Sequence, residues 1–75
     1  MTGRIMKDKK LWRSILALAG VRQSDVAKYL GIAAATLSDK VNMKKDFTQT
    51  EMVRLKGYFN LSNEDFNSLF IDDPQ

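Results

Sequence analysis

Cysteine and histidine are both missing from this 75-residue sequence. Without cysteine there is no disulfide framework and no thiolate metal site. Without histidine the commonest zinc ligand is gone, and so is the side chain that ordinarily titrates near neutral pH. No metal and no cofactor are therefore expected. Proline occurs once, at Pro74, so none interrupts a helix earlier in the chain. No apolar run approaches the roughly 20 residues that span a bilayer. The start of the chain, with "KDKK" at 7 to 10, carries no signal-like apolar stretch. The expectation is a small cytoplasmic protein with no membrane partner. Catalysis is poorly provided for as well. The carboxylates are scattered, Ser38 has no candidate base nearby, and there is no glycine-rich phosphate loop. An enzyme is not expected.

What is present is an uneven distribution of charge. Residues 1 to 45 hold ten Lys/Arg and three Asp/Glu, whereas residues 46 to 75 hold two and six. The front of the chain is thus +7 and the back −4, within a net charge of +3. Such segregation is one footprint of a surface that meets a polyanion. It is also what solvated helix faces produce by chance, so the charge pattern alone does not decide between them.

Apolar residues recur at helical spacing throughout, and no sustained alternation marks a strand. Five helices are predicted. The first runs from about Lys7 to Ala19, with Leu11 or Trp12, Ile15, Leu18 and Ala19 as its apolar line and Gly20 as its stop. The second covers about Gln23 to Leu30 and ends at Gly31. The third covers about Ala34 to Val41 and buries Leu37 and Val41, with Asn42 supplying the left-handed turn. The fourth has the clearest start. In "FTQTEM" Thr48 caps, Glu51 returns the bond, and Phe47 with Met52 form the staple. Gly57 inside it predicts the close approach of another backbone. The fifth repeats the device in "LSNEDF", from Ser62, and carries Phe66, Leu69 and Phe70. Residues 1–6 are expected as a flexible basic arm, 7–71 as one domain and 72–75 as a disordered acidic tail.

The stretch "QSDVAKYLGIAAATLSDKVN" predicts two short amphipathic helices joined by a turn at Gly31, locked by Val26, Ala27, Leu30, Ile32, Leu37 and Val41. Here the chain resembles the helix-turn-helix family of phage lambda-type repressors and Cro proteins. The matching residues are Gln23, Ala27, Leu30-Gly31-Ile32, Thr36-Leu37-Ser38 and Asn42, then "KKDFT". The resemblance covers about Leu11 to Phe70. It implies a compact all-α five-helix domain that binds double-stranded operator DNA with the third helix in the major groove. It also implies a homodimer formed largely through the last helix, which places Phe66, Leu69, Phe70 and Ile71 at the interface.

Carried over by position, the resemblance makes Gln23 a phosphate contact at the start of the second helix, where simple capping is the alternative. Asn42, Lys44 and Lys45 fall in the loop that holds backbone phosphate, although Asn42 also suits a plain turn. Three departures stand out. Arg22 replaces a threonine cap but offers a charge to phosphate, Ala33 replaces a serine cap, and Met43 replaces a glycine. The base-facing positions are Ala34, Ala35, Ser38 and Asp39. Alanine can meet a thymine methyl, serine either type of edge, and aspartate a cytosine amine, but none makes a bidentate contact. Helix propensity alone also accounts for the alanines. The expected function is a small phage-type transcriptional regulator whose affinity comes mainly from backbone charge. The alternative is an anti-repressor or modulator that uses the same fold to bind a larger phage repressor. The apolar residues Leu16, Leu18, Tyr29, Phe70 and Ile71 favour that second possibility, as they do a homodimer.

Overall fold

The computed structural model describes residues 3–70. The chain is mostly helical. It runs β1 (Gly3–Arg4), α1 (Lys9–Ala19), α2 (Gln23–Leu30), α3 (Ala34–Val41), β2 (Phe47–Thr48), α4 (Gln49–Phe59) and α5 (Asn63–Leu69). Among the described residues no helix is long and apolar enough to cross a membrane.

Local chemistry explains where each helix starts. Asp8 Oδ1 accepts from the Leu11 N–H at 3.0 Å, so α1 begins at Lys9 rather than at Lys7. In α4 the Thr48 hydroxyl accepts from Glu51 N–H at 3.1 Å, and Glu51 Oε1 accepts from Thr48 N–H at 2.9 Å. Phe47 and Met52, the staple pair, are both buried. Ser62 Oγ caps α5 through the Asp65 N–H at 3.0 Å.

Helix ends follow one device. Helices α1 to α4 each close with the paired 6→1 and 5→2 bonds of a left-handed C-terminal turn. Gly20, Gly31, Met43 and Asn60 hold the positive φ, at 70°, 75°, 68° and 53°. The left-handed residue after α3 is therefore Met43. Asn42, expected there, has φ −87°. Gly57 meets nothing within 4 Å of where a Cβ would lie, so no backbone approaches it as the sequence suggested.

The core is drawn from every helix and from both ends of the described chain. Trp12, Val26, Leu37, Phe47, Met52, Leu55 and Leu69 are essentially inaccessible. Residues 3 to 6, read from sequence as part of a flexible arm, are held in place instead. Gly3 and Arg4 pair antiparallel with Thr48 and Phe47, and Met6 bridges Phe70. Met6 is fully buried, and the Lys7 N–H donates to Leu69 O at 2.6 Å. An apolar side chain with a place in the core is a sufficient reason for this order. Residues 1–2 and the acidic tail at 72–75 lie outside the described residues.

Leu18 reverses its expectation in the other direction, being 89% exposed. It stands three residues beyond Ile15 and six beyond Trp12, about 60° and 120° round the helix from them, so it lies at the margin of the apolar line where no neighbouring element covers it.

Candidate nucleic-acid interface

Helices α2 and α3 are joined by Gly31, Ile32 and Ala33, and Gly31 takes the left-handed conformation that turns the chain. Gly31 N–H donates to Lys28 O at 3.1 Å and Ile32 N–H to Ala27 O at 3.0 Å, so the turn is fully bonded. Val26, Ala27 and Leu30 of α2, with Leu37 and Val41 of α3, are buried in the common core. Because Leu37 and Val41 point inward, the opposite ridge of α3 faces outward.

That ridge carries the expected side chains. Ala34 and Ala35 are exposed, Ser38 and Asp39 half-buried, and Asn42, Lys44 and Lys45 exposed beyond the helix end. Arg22, also exposed, sits immediately before α2. Its guanidinium has no acceptor with which to cap a helix. The Asp25 carboxylate supplies one bond instead, accepting from the Arg22 backbone N–H at 3.0 Å. Ala33 leaves α3 without any side-chain cap.

Several of these residues are already tied to one another. Asn42 Oδ1 accepts from Lys9 Nζ at 2.8 Å, and Asn42 Nδ2 donates to Ser38 Oγ at 3.3 Å. The basic start of α1 is thereby brought beside the end of α3 and the Lys44–Lys45 loop. Asp39 and Lys45 lie 3.9 Å apart as an exposed ion pair. Such pairs contribute about 0–1 kcal/mol, but this one offsets the negative charge that Asp39 places on the ridge. Gln23 is half-buried, and its Oε1 accepts from the Trp12 indole Nε1–H at 3.0 Å.

No family model, curated protein or solved structure matches this chain. What the ridge can do therefore follows from its own chemistry. It is a helix face of small side chains flanked by cationic ones at both the α2 start and the α3 end. Among the described residues no cluster of acidic, histidine or cysteine side chains suits a metal ion.

Lys9, read from the sequence with Arg4, Lys7, Lys10 and Arg13 as a basic arm and first-helix edge that could attract a duplex, or else as part of a solvated charge run, is set against Asn42 by the tertiary structure. One contributor escaped the sequence reading. Lys40 lies on the buried line of α3, three residues after Leu37, and is 7% exposed. Its ammonium donates to Glu51 Oε1 at 2.7 Å and stands 6.0 Å from the centre of the Phe47 ring. The helical period does put Lys40 beside Val41 on that stripe, so the signal was there. Burial on its own would raise the Glu51 carboxyl. The Lys40 hydrogen bond, the Thr48 backbone bond and the Lys40 charge together outweigh it and hold Glu51 below its ordinary value. This contact fixes the end of α3, and with it the ridge, onto the start of α4.

The expected dimer surface requires correction. Leu69 and Phe70 are fully buried within the chain's own core, where Phe70 meets Phe47 at 5.3 Å between ring centres. Short α5 turns its apolar side toward α1 and the N-terminal segment, so nothing of these two residues is left for a second copy. Phe66 is half-buried against the same core, and Ile71 lies outside the described residues.

Proposed function

We propose that this protein is a small transcriptional regulator of the phage repressor type that binds operator DNA through α3. The observation that carries the reading is the outward ridge of Ala34, Ala35, Ser38 and Asp39, flanked by Arg22, Asn42, Lys44 and Lys45, on a helix whose other side is locked into the core. A helix roughly 10–12 Å across fits a major groove about 12 Å wide, and the short side chains let its backbone lie close to the bases. Lys44, Lys45, Arg22 and Lys9 supply phosphate neutralisation, which dominates affinity and makes it salt-dependent. Base readout is left to Ser38, Asp39 and the alanine methyls, and is correspondingly modest. Such a regulator acts in the cytoplasm.

The test is a salt titration of binding to duplex DNA from the region flanking the protein's own gene. Lys44→Ala should lower affinity for every sequence and flatten the log–log salt slope by about one unit. Lys45→Ala should cost more than Lys44→Ala, because it also strips Asp39 of its counter-charge. Binding that neither substitution alters would remove the loop from the interface.

A second reading is supported by Leu18. It is 89% exposed and lines a groove of about 280 Å³ together with the apolar Ile15, Ala19, Phe59 and Leu61 and the polar Asn60 and Asp65. A partner protein, such as a larger repressor, would cover this face and leave α3 unused. In that case Leu18→Lys removes the complex, and the loop lysine substitutions do not.

A further inference from the structure

The indole of Trp12 fills the core, but it also makes one directional bond. Trp12 is 1% exposed, meets Phe59 edge-on at 6.0 Å between ring centres, and donates Nε1–H to Gln23 Oε1 at 3.0 Å. An indole N–H can only donate. Of the two ends of the Gln23 amide, only the oxygen can therefore face it.

The consequence falls on the other end. The terminal torsion of glutamine is broad and roughly two-fold, so an untethered amide at this position presents oxygen or nitrogen with similar ease. With its oxygen held by Trp12, the Gln23 amide has its NH2 as the remaining end, which is not a buried atom, at the first residue of α2 and beside the exposed Arg22. That NH2 has no acceptor among the described residues. The group that matches it is one rich in acceptors and without donors, as a phosphodiester is. An amide turned the other way would set its carbonyl oxygen against the phosphate oxygens.

We propose that Trp12 is a positioning residue for duplex binding: its indole N–H fixes the Gln23 amide so that two donors, and never an acceptor, face the nucleic-acid backbone. The inference rests on the DNA-binding reading given above. It assigns Trp12 a role that neither its burial nor its aromatic contacts require, since phenylalanine would supply much of both.

The experiment is a double-substitution cycle on the full chain, with duplex affinity as the readout and helical circular dichroism as the control for folding. Trp12→Phe should weaken binding about fivefold in the otherwise unchanged protein, and less than about twofold when Gln23→Ala is already present. Equal weakening in both backgrounds, or no weakening in either, overturns the proposal. Should Trp12→Phe fail to fold, the indole N–H resonance of the unsubstituted protein decides, because Trp12 is the single tryptophan in the chain. Donation from the Gln23 NH2 to phosphate polarises the amide and strengthens its oxygen as an acceptor. Saturating duplex should therefore move this resonance downfield, and Gln23→Ala should abolish the movement. A resonance that stays in place at saturation overturns the proposal while leaving the DNA-binding reading intact. Absence of any duplex binding by the unsubstituted protein overturns both.

Discussion

Met43 holds a conformation that its side chain opposes. At φ 68° its Cβ crowds its own backbone, a cost of about 1–2 kcal/mol that glycine does not incur. The turn survives because Met43 N–H bonds Lys40 O at 3.2 Å and Lys44 N–H bonds Asp39 O at 2.8 Å, which gives the last carbonyls of α3 their partners. Met43→Gly should raise stability by about 0.5–1 kcal/mol, read as a higher denaturant midpoint at unchanged slope. An unchanged or lowered midpoint would mean that the half-exposed Met43 side chain contributes packing that offsets the strain. The departure from glycine was visible in the sequence, beside the residues on which the helix-turn-helix resemblance rests. Which of Asn42 and Met43 takes the left-handed position was not, because both residues tolerate or resist it through energies close to those of the bonds around them.

Among the elements, α3 is the weakest at its start and the best fastened at its end. Ala33 has the extended backbone of a cap residue, φ −69° and ψ 149°, but no oxygen with which to act as one. Ala33→Ser should therefore stabilise the fold by about 1 kcal/mol, measured by equilibrium unfolding. Loss of stability would show that the first turn of α3 is not free to accept a cap. At the other end Lys40 bridges to Glu51, the same carboxylate that closes the capping box of α4. The capping box itself was legible from Thr48 and Glu51 three residues apart. The link from α3 was not, since eleven residues separate Lys40 from Glu51 and no local period connects them. Leu18 illustrates the converse. Spacing from Ile15 and Leu11 admitted it to the apolar line, and only the position of neighbouring elements excluded it.

At the scale of the whole molecule, two long-range ties hold ends that local propensity would leave free. The first is the N-terminal segment. Met6→Ala should destabilise the protein by about 2–3 kcal/mol, measured by thermal or denaturant unfolding, because it opens the core where Met6 bridges Phe70. An arm without structure would show no effect. The second is the Lys40–Glu51 pair. Glu51 is held below its ordinary value of 4.5, so it binds fewer protons in the folded chain than in the unfolded one. Its contribution is therefore complete above about pH 4.5 and is lost as the pH falls through the lower folded value. Glu51→Gln should flatten the acid limb of the stability profile below about pH 4.5 while lowering stability at pH 7 by about 2 kcal/mol, as expected when a hydrogen-bonded charge is removed. A parallel acid limb in the variant would mean that other carboxylates carry the loss.

Order along the chain determined five helices, the turn at Gly31, the capped start of α4 and the inward placing of Leu37 and Val41, because each depends on residues within about one or two helical turns of one another. Folding in space decided the rest. It buried Met6, Leu69 and Phe70, exposed Leu18, drew Lys9 to Asn42 and Trp12 to Gln23, and paired Lys40 with Glu51. These contacts join residues from different elements, and the energy of each exists only once the remaining elements have brought its two halves within reach.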